Sequence, residues 1–166
     1  MKNRTIAVKG SEITIITQGN EDYISLTDMV RSFGDESIIT NWLRNRNTIE
    51  FLGIWEQINN PGFKPLEFEG FKKQAGLNSF WISPKRWIET TNAIGLISKA
   101  GRYGGGTFAQ RDIAFEFGSW LSPEFKLYLI KEFQRLKEDE TKRLEEGWSA
   151  RRMLTKINYR IHTDAI

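Results

Sequence analysis

Gly101-Arg102-Tyr103-Gly104-Gly105-Gly106-Thr107-Phe108 is the stretch on which the fold turns. Neighbouring glycines permit positive φ and close backbone approach. Three readings compete: a phosphate-cradling loop, a plain hairpin turn, and a hairpin tip that meets a polyanion. The nucleotide P-loop needs a Lys-Ser/Thr pair after its last glycine. Here Thr107-Phe108 follows Gly106 and no lysine is present. The dinucleotide pattern fails as well, since no glycine sits three residues beyond the triple glycine. The flanks, Leu96 to Ala100 and Thr107 to Ala109, read as extended and favour a hairpin. Lys99, Arg102 and Tyr103 sit on the turn, with Arg111 just beyond. A tip of this kind can lie along a DNA groove, its cations and backbone amides meeting phosphates. Taken alone, a basic hairpin tip is a common feature.

Working outward, residues 4–18 alternate and are rich in β-branched side chains, with Lys9-Gly10-Ser11-Glu12 between two runs. This predicts a hairpin. Tyr23-Ile24-Ser25 is a short extended stretch. Ser25 or Thr27 caps a short helix with Leu26, Met29, Val30 and Phe33 on one side, and Gly34 stops it. Asp35 or Ser37 caps a second helix, with Ile38, Ile39, Trp42 and Leu43 inward. A third apolar segment, Ile49 to Ile58, is also helical. Residues 59–72 read as an exposed loop, because Asn59-Asn60-Pro61-Gly62 and Pro65 are turn signals. Ser79 to Ile82 reads as a strand. Ser83-Pro84 opens a helix that turns Trp87, Ile88 and Thr91 inward. Asp112 caps and starts a helix running to Leu121, and Ser122-Pro123-Glu124 starts another. From Phe125 to Leu136 apolar residues point nearly all round, which predicts burial. Lys137 to Glu146 is charged and solvated. After Gly147-Trp148 a new amphipathic segment begins, with Met153, Leu154, Ile157 and Ile161 opposite Arg152, Lys156 and Arg160. The sequence stops at Ile166 without a helix terminator, as a chain that continues or needs a partner would.

The helix pair within 25–47 is a second candidate site. Its outer face offers Thr40, Asn41, Arg44 and Asn45, then Arg46 and Asn47. Helix, short turn and helix is the layout of a helix-turn-helix reader. Asparagine suits adenine edges and arginine suits guanine edges, and both take phosphates. Taken alone, this feature fits a plain solvated helix face better, and Asp35, Glu36 and Glu50 dilute its positive charge. Trp42, Trp87, Phe108, Phe117 and Trp120 fall at spacings that suit the core.

The composition excludes much chemistry. The 166 residues include no cysteine and one histidine, His162. Thiol nucleophiles, disulfides, thiolate zinc sites and multi-imidazole metal sites are therefore absent from the sequence. A histidine five residues from the end is a poor base for a triad. Metal nucleases gather carboxylates inward. Here the acids scatter singly, as Asp112 and Glu116 do, or run in exposed groups such as Glu138-Asp139-Glu140. Neither a cofactor nor catalysis is expected. The net charge of +3, with pI near 9.2, is a mild excess. No apolar run approaches the ~20 residues of a membrane span, and residues 1–10 lack a signal-peptide core. A cytoplasmic location, in a bacterial cell or an infected host, is the expectation.

Together these residues carry a resemblance. Trp87-Ile88-Glu89, the glycine stretch through Ala109, Asp112-Ile113-Ala114-Phe115-Glu116-Phe117-Gly118-Ser119-Trp120-Leu121-Ser122-Pro123-Glu124-Phe125-Lys126, Tyr23 to Met29 and Trp42-Leu43-Arg44-Asn45 resemble the KilA-N domain. The likeness spans roughly residues 4–136. It implies a DNA-binding domain of phages, large DNA viruses and prophage-bearing bacteria, similar in fold to the fungal APSES domain. The implied fold class is α+β: a winged helix-turn-helix-like domain with β-hairpins around a helical core, plus a C-terminal helical extension. The helix at 36–47 would be the recognition element and the hairpin at 96–109 the wing. The APSES wing carries more polar and basic residues, so glycines here imply fewer wing contacts. The expected partner is duplex DNA, bound without catalysis by a regulator of transcription or replication. Phosphate contacts would come from Arg44, Arg46, Lys99, Arg102 and Arg111, with Thr40, Asn41 and Asn45 reading bases. Residues 137–166 lie outside the resemblance. They read as the start of a second module or a segment that forms homo-oligomers. The rival reading is a protein-interaction module built on those C-terminal helices.

Overall fold

The computed structural model describes the backbone of residues 3–102 and 104–164 and the side chains of 3–102 and 104–157. Among them are five strands and seven helices. The chain divides into two compact units, Met1–Leu129 and Ile130–Ile166.

In the first unit, β1 (Asn3–Val8) and β2 (Ser11–Gln18) form the predicted hairpin. Lys9 (φ 50°) and Gly10 (φ 83°) make the whole turn. Two consecutive positive φ angles match the twist of the flanking strands. β3 (Glu21–Ser25) then pairs with β2 on one side and with β5 (Gly106–Gln110) on the other. β4 (Leu96–Lys99) pairs with β5, so the sheet is antiparallel in the order β1-β2-β3-β5-β4. This corrects the expectation of separate hairpins around a helical core. Tyr23-Ile24-Ser25 is the strand that joins them. The register puts Ile6, Val8, Ile13, Ile15, Ile24, Leu96 and Ala109 on one buried face. The other face carries a smaller cluster of Ile16, Tyr23 and Phe108, with Ile97 beside it.

α1 (Leu26–Val30) starts at Ser25, whose Oγ accepts from the Asp28 N–H at 3.0 Å. α2 (Ser37–Leu43) and α3 (Arg46–Asn59) follow. The predicted helix over 36–47 is thus two helices. Asn45 is extended (φ −76°, ψ 134°) and its amide donates to the carbonyls of Asn41 and Trp42 at 3.1 and 3.2 Å. Those carbonyls would otherwise accept the next helical N–H groups, so the side chain competes with the helix. Ile38 is only half-buried, and Phe33 is exposed with its ring edge-on to Phe125 at 5.3 Å.

Residues 59–72 are not an exposed loop. α4 (Pro65–Gln74) begins there with proline in its first turn, where a missing N–H costs nothing. Phe63, Phe68 and Phe71 are buried around Trp87, with ring centroids 6.0–6.2 Å from the indole. α4 crosses α3 at Gly53, where any Cβ would stand 2.2 Å from the Phe68 ring. Ser79–Ile82 has no strand partner. Phe80 and Ile82 are buried and Trp81 is out, so the alternation reflects anchoring of a loop. α5 (Pro84–Thr91) has the predicted Ser83 cap and buries Trp87 and Thr91. The 60–92 excursion closes on itself. Asn60 Nδ2 donates to the Asn92 carbonyl (2.8 Å), Asn92 Nδ2 to that of Gly62 (2.9 Å), and the Lys64 N–H to that of Thr91 (2.9 Å).

α6 (Arg111–Leu121) is capped by Gln110, not by Asp112; the Gln110 side chain accepts from the Asp112 N–H at 2.7 Å. Phe117 meets Trp42 edge-on at 4.9 Å, while Trp120 is half-exposed and stacks on Phe117. α7 (Pro123–Asp164) buries Phe125 and Leu129 but exposes Leu127 and Tyr128. Burial there is a stripe rather than all round. In the second unit the helix runs through Gly147 without the predicted break, since one glycine costs a helix only ~1 kcal/mol. The side chains of Arg160, Ile161 and His162 lie outside the described residues.

Candidate nucleic-acid interface

The six predicted residues around 40–47 span the end of α2, the extended Asn45 and the first turn of α3. Local bonds occupy most of them. Thr40 Oγ1 donates to the Ser37 carbonyl at 2.9 Å. Asn45 caps the end of α2 as described. Arg44 is half-buried, and its Nη2 donates to the Asn78 carbonyl at 2.9 Å. Arg46 Nε donates to Glu50 at 3.1 Å. Asn41 and Asn47 are exposed. At the start of α2 the Ser37 hydroxyl and N–H hold the Asp35 carboxyl below its ordinary range, so a fixed negative charge stands there.

The glycine stretch forms the tip between β4 and β5. Gly101, Gly104 and Gly106 have φ of 128°, 75° and 128°. A Cβ on Gly105 would lie 2.3 Å from the Gly101 carbonyl oxygen. A Cβ on Gly106 would lie 2.5 Å from Thr27 Oγ1, which accepts from the Thr107 N–H at 3.0 Å. Gly105 and Gly106 therefore sit where only glycine fits. Lys99 Nζ stands 5.8 Å from the Phe108 ring centroid. A hollow of about 180 Å³ beside the tip is lined by Lys99, Arg102 and Arg31, with Asp28 and Glu12 opposing them. Arg31, 3.2 Å from Asp28, was missed by sequence reasoning. The only available signal was that it is the one cation between Lys9 and Arg44, directly after α1. Tyr103 lies outside the described residues.

Arg111 is brought to neither group. Five strand steps separate it from Gly106, about 16 Å of extended chain. Its Nε is 3.7 Å from Asp112, whose Oδ2 accepts from Trp55 Nε1 at 3.3 Å. Trp55 stands nine residues along α3 from Arg46, about 13 Å of helix.

The KilA-N domain family matches residues 6–139. The chain belongs to the KilA-N family. It is a DNA-binding domain family and not a known enzyme family, which supports a DNA-binding role here. No curated protein and no solved structure matches the chain. In this KilA-N domain no group of three or more His, Cys, Asp or Glu among the described residues could hold a metal ion. No helix among them is long and apolar enough to cross a membrane.

The KilA-N hairpin is rooted by a buried acid that the sequence did not single out. Glu56 accepts from the Gly95 N–H at 2.8 Å, the Ile94 N–H at 2.8 Å and Asn60 Nδ2 at 3.0 Å. Burial pushes its carboxyl above the ordinary range, against the downward pull of those donors. On the opposite side Tyr23 Oη donates to the Ile94 carbonyl at 2.8 Å, and burial raises its phenol too.

Proposed function

We propose that this chain binds duplex DNA with sequence preference, without altering it, as a regulator of transcription or replication of the phage or mobile-element type. The match over residues 6–139 carries this reading. In it the fold acts as a winged helix-turn-helix. α2 and the first turn of α3 face the major groove, and the β4–β5 hairpin is the wing. Asn41, exposed and without a side-chain hydrogen bond among the described residues, is the best base reader, ahead of Asn47, Thr40 and Asn45. Arg44, Arg46, Lys99, Arg102 and Arg111 neutralise phosphates, and Tyr103 is a further DNA-contacting residue. Residues 4–136 form the DNA-binding domain and 137–166 a separate extension, in a protein that works in the cytoplasm.

Selection of bound duplexes from a random pool tests this. A recovered motif that changes in Asn41→Ala supports base reading, while recovery of random sequence refutes it. Wild-type affinity should fall with salt at a slope near −0.9 per phosphate contact.

A second reading, self-association through the C-terminal helix, has one specific support. Leu144, Trp148, Met153, Leu154 and Ile157 are exposed on α7. Sedimentation of the full chain beside residues 1–137 separates the two: equal masses per chain at high concentration would leave the extension without this role.

A further inference from the structure

We infer that residues 72–86 form a second DNA-contacting element, with Lys72, Lys73 and Arg86 against phosphates and Trp81 against the sugar edge of the duplex. This rests on the DNA-binding reading above. Between Glu69 and Glu89 the chain has four cations, Lys72, Lys73, Lys85 and Arg86, and no acid. Lys85 is set aside, because it lies 3.9 Å from Glu89.

The fold gathers this charge. α4 ends where α5 begins: the Arg86 guanidinium stands 5.5 Å from the Phe71 ring centroid, beside the Lys72-Lys73 turn. The connecting loop is held rather than loose. Ala75, Phe80 and Ile82 are buried, and the Phe80 N–H bonds the Leu77 carbonyl at 3.0 Å. Between those anchors Trp81 is 58% exposed and Leu77 57%. The loop is thus fixed by three buried side chains and still projects an indole into solvent beside the cations. A duplex backbone supplies both complements, phosphates for the cations and apolar sugar faces for the indole.

The loop is also tied to the proposed reading element. The Gly76 N–H donates to the Arg44 carbonyl at 3.0 Å, and the Arg44 guanidinium donates to the Asn78 carbonyl at 2.9 Å. Gly76 (φ 89°) brings the loop against Arg46, whose Cβ would lie 3.8 Å from any side chain there. Whatever strand of DNA borders the α2–α3 junction therefore borders this loop. Arg44 then serves as the strut that sets the distance between them.

The test uses the full chain and labelled random duplexes across a salt series. Trp81→Ala should weaken binding about ten-fold with an unchanged slope, and Trp81→Phe should recover most of the loss. Lys72→Ala, Lys73→Ala and Arg86→Ala combined should lower the slope by roughly two to three units. Thermal unfolding equal to wild type in each variant separates these effects from misfolding. Wild-type affinity and slope in both variants overturn this inference alone. A wild-type chain that binds no duplex overturns the DNA-binding reading with it.

Discussion

The two hairpins at opposite ends of the sheet solve the same closure in different ways. β1 and β2 turn on Lys9 and Gly10 alone. A Cβ on Gly10 would meet nothing within 4 Å, so glycine there answers backbone twist and no more. β4 and β5 are joined by a longer connection, in which Gly105 rests on the Gly101 carbonyl. The first hairpin closes on its own two turn residues, although Lys9 reaches Glu124 and the Thr14 N–H reaches Asp28. The second needs remote groups: Glu56 at its root and Thr27 beside its tip. A tip that is neither core nor minimal turn, yet holds a defined shape, is expected at a binding surface rather than in a connector.

Removing the root tests this contrast most severely. Glu56→Ala leaves the Ile94 and Gly95 N–H groups without their acceptor, and should cost about 2–4 kcal/mol in chemical denaturation. A loss under ~0.5 kcal/mol would make the second hairpin as autonomous as the first. The titration has a definite sign. Because the folded carboxyl lies above its unfolded value near 4.5, Glu56 contributes stability below that pH. The contribution falls as pH rises toward the folded value. The stability advantage of wild type over Glu56→Gln should therefore be fully present below pH 4.5 and shrink as pH rises above it. Next comes the tip. Gly106→Ala combines positive φ with displacement of Thr27, and should cost about 2 kcal/mol, against about 1 for Gly10→Ala, which bears strain alone. Equal losses would mean that the Thr27 contact adds nothing. Lys9→Ala removes an exposed ion pair with Glu124 (2.5 Å) and should change stability by ~0.5 kcal/mol or less. Smallest in stability is Arg102→Ala, with no measurable change in melting. Its effect should appear only in DNA binding, as a salt slope flatter by roughly one unit. An unchanged slope removes the tip from the interface.

The same contrast governs what was legible in the sequence. Local signals carried far: alternation around Lys9-Gly10, the Ser25 and Ser83 caps, and the glycine run each gave the right element. Non-local packing did not show. Phe63, Phe68 and Phe71 read as loop residues because their common partner, Trp87, is distant in sequence. The end of α2 was misjudged because an asparagine amide, not a glycine or proline, stops it. Of the candidate site, the residue types were visible but their commitments were not. Arg44, Asn45 and Arg46 looked available and are held by Asn78, by α2 and by Glu50. Arg31 and Glu56 carried no periodic or motif signal at all.

The clasp at residues 60–64 and 91–92 has a consequence for how such a chain can change. An excursion whose two ends are bonded to each other leaves and returns through one doorway. Its length can grow or shrink without altering the register of any strand. α4, α5 and the loop between them are thus a replaceable cassette. The price of exchanging it falls on the seam with α3, where Phe68 sits over Gly53, on the bonds that tie Gly76 and Asn78 to Arg44, and on the packing of α5 against β4. A longer or shorter cassette would leave the pairing of all five strands as it is.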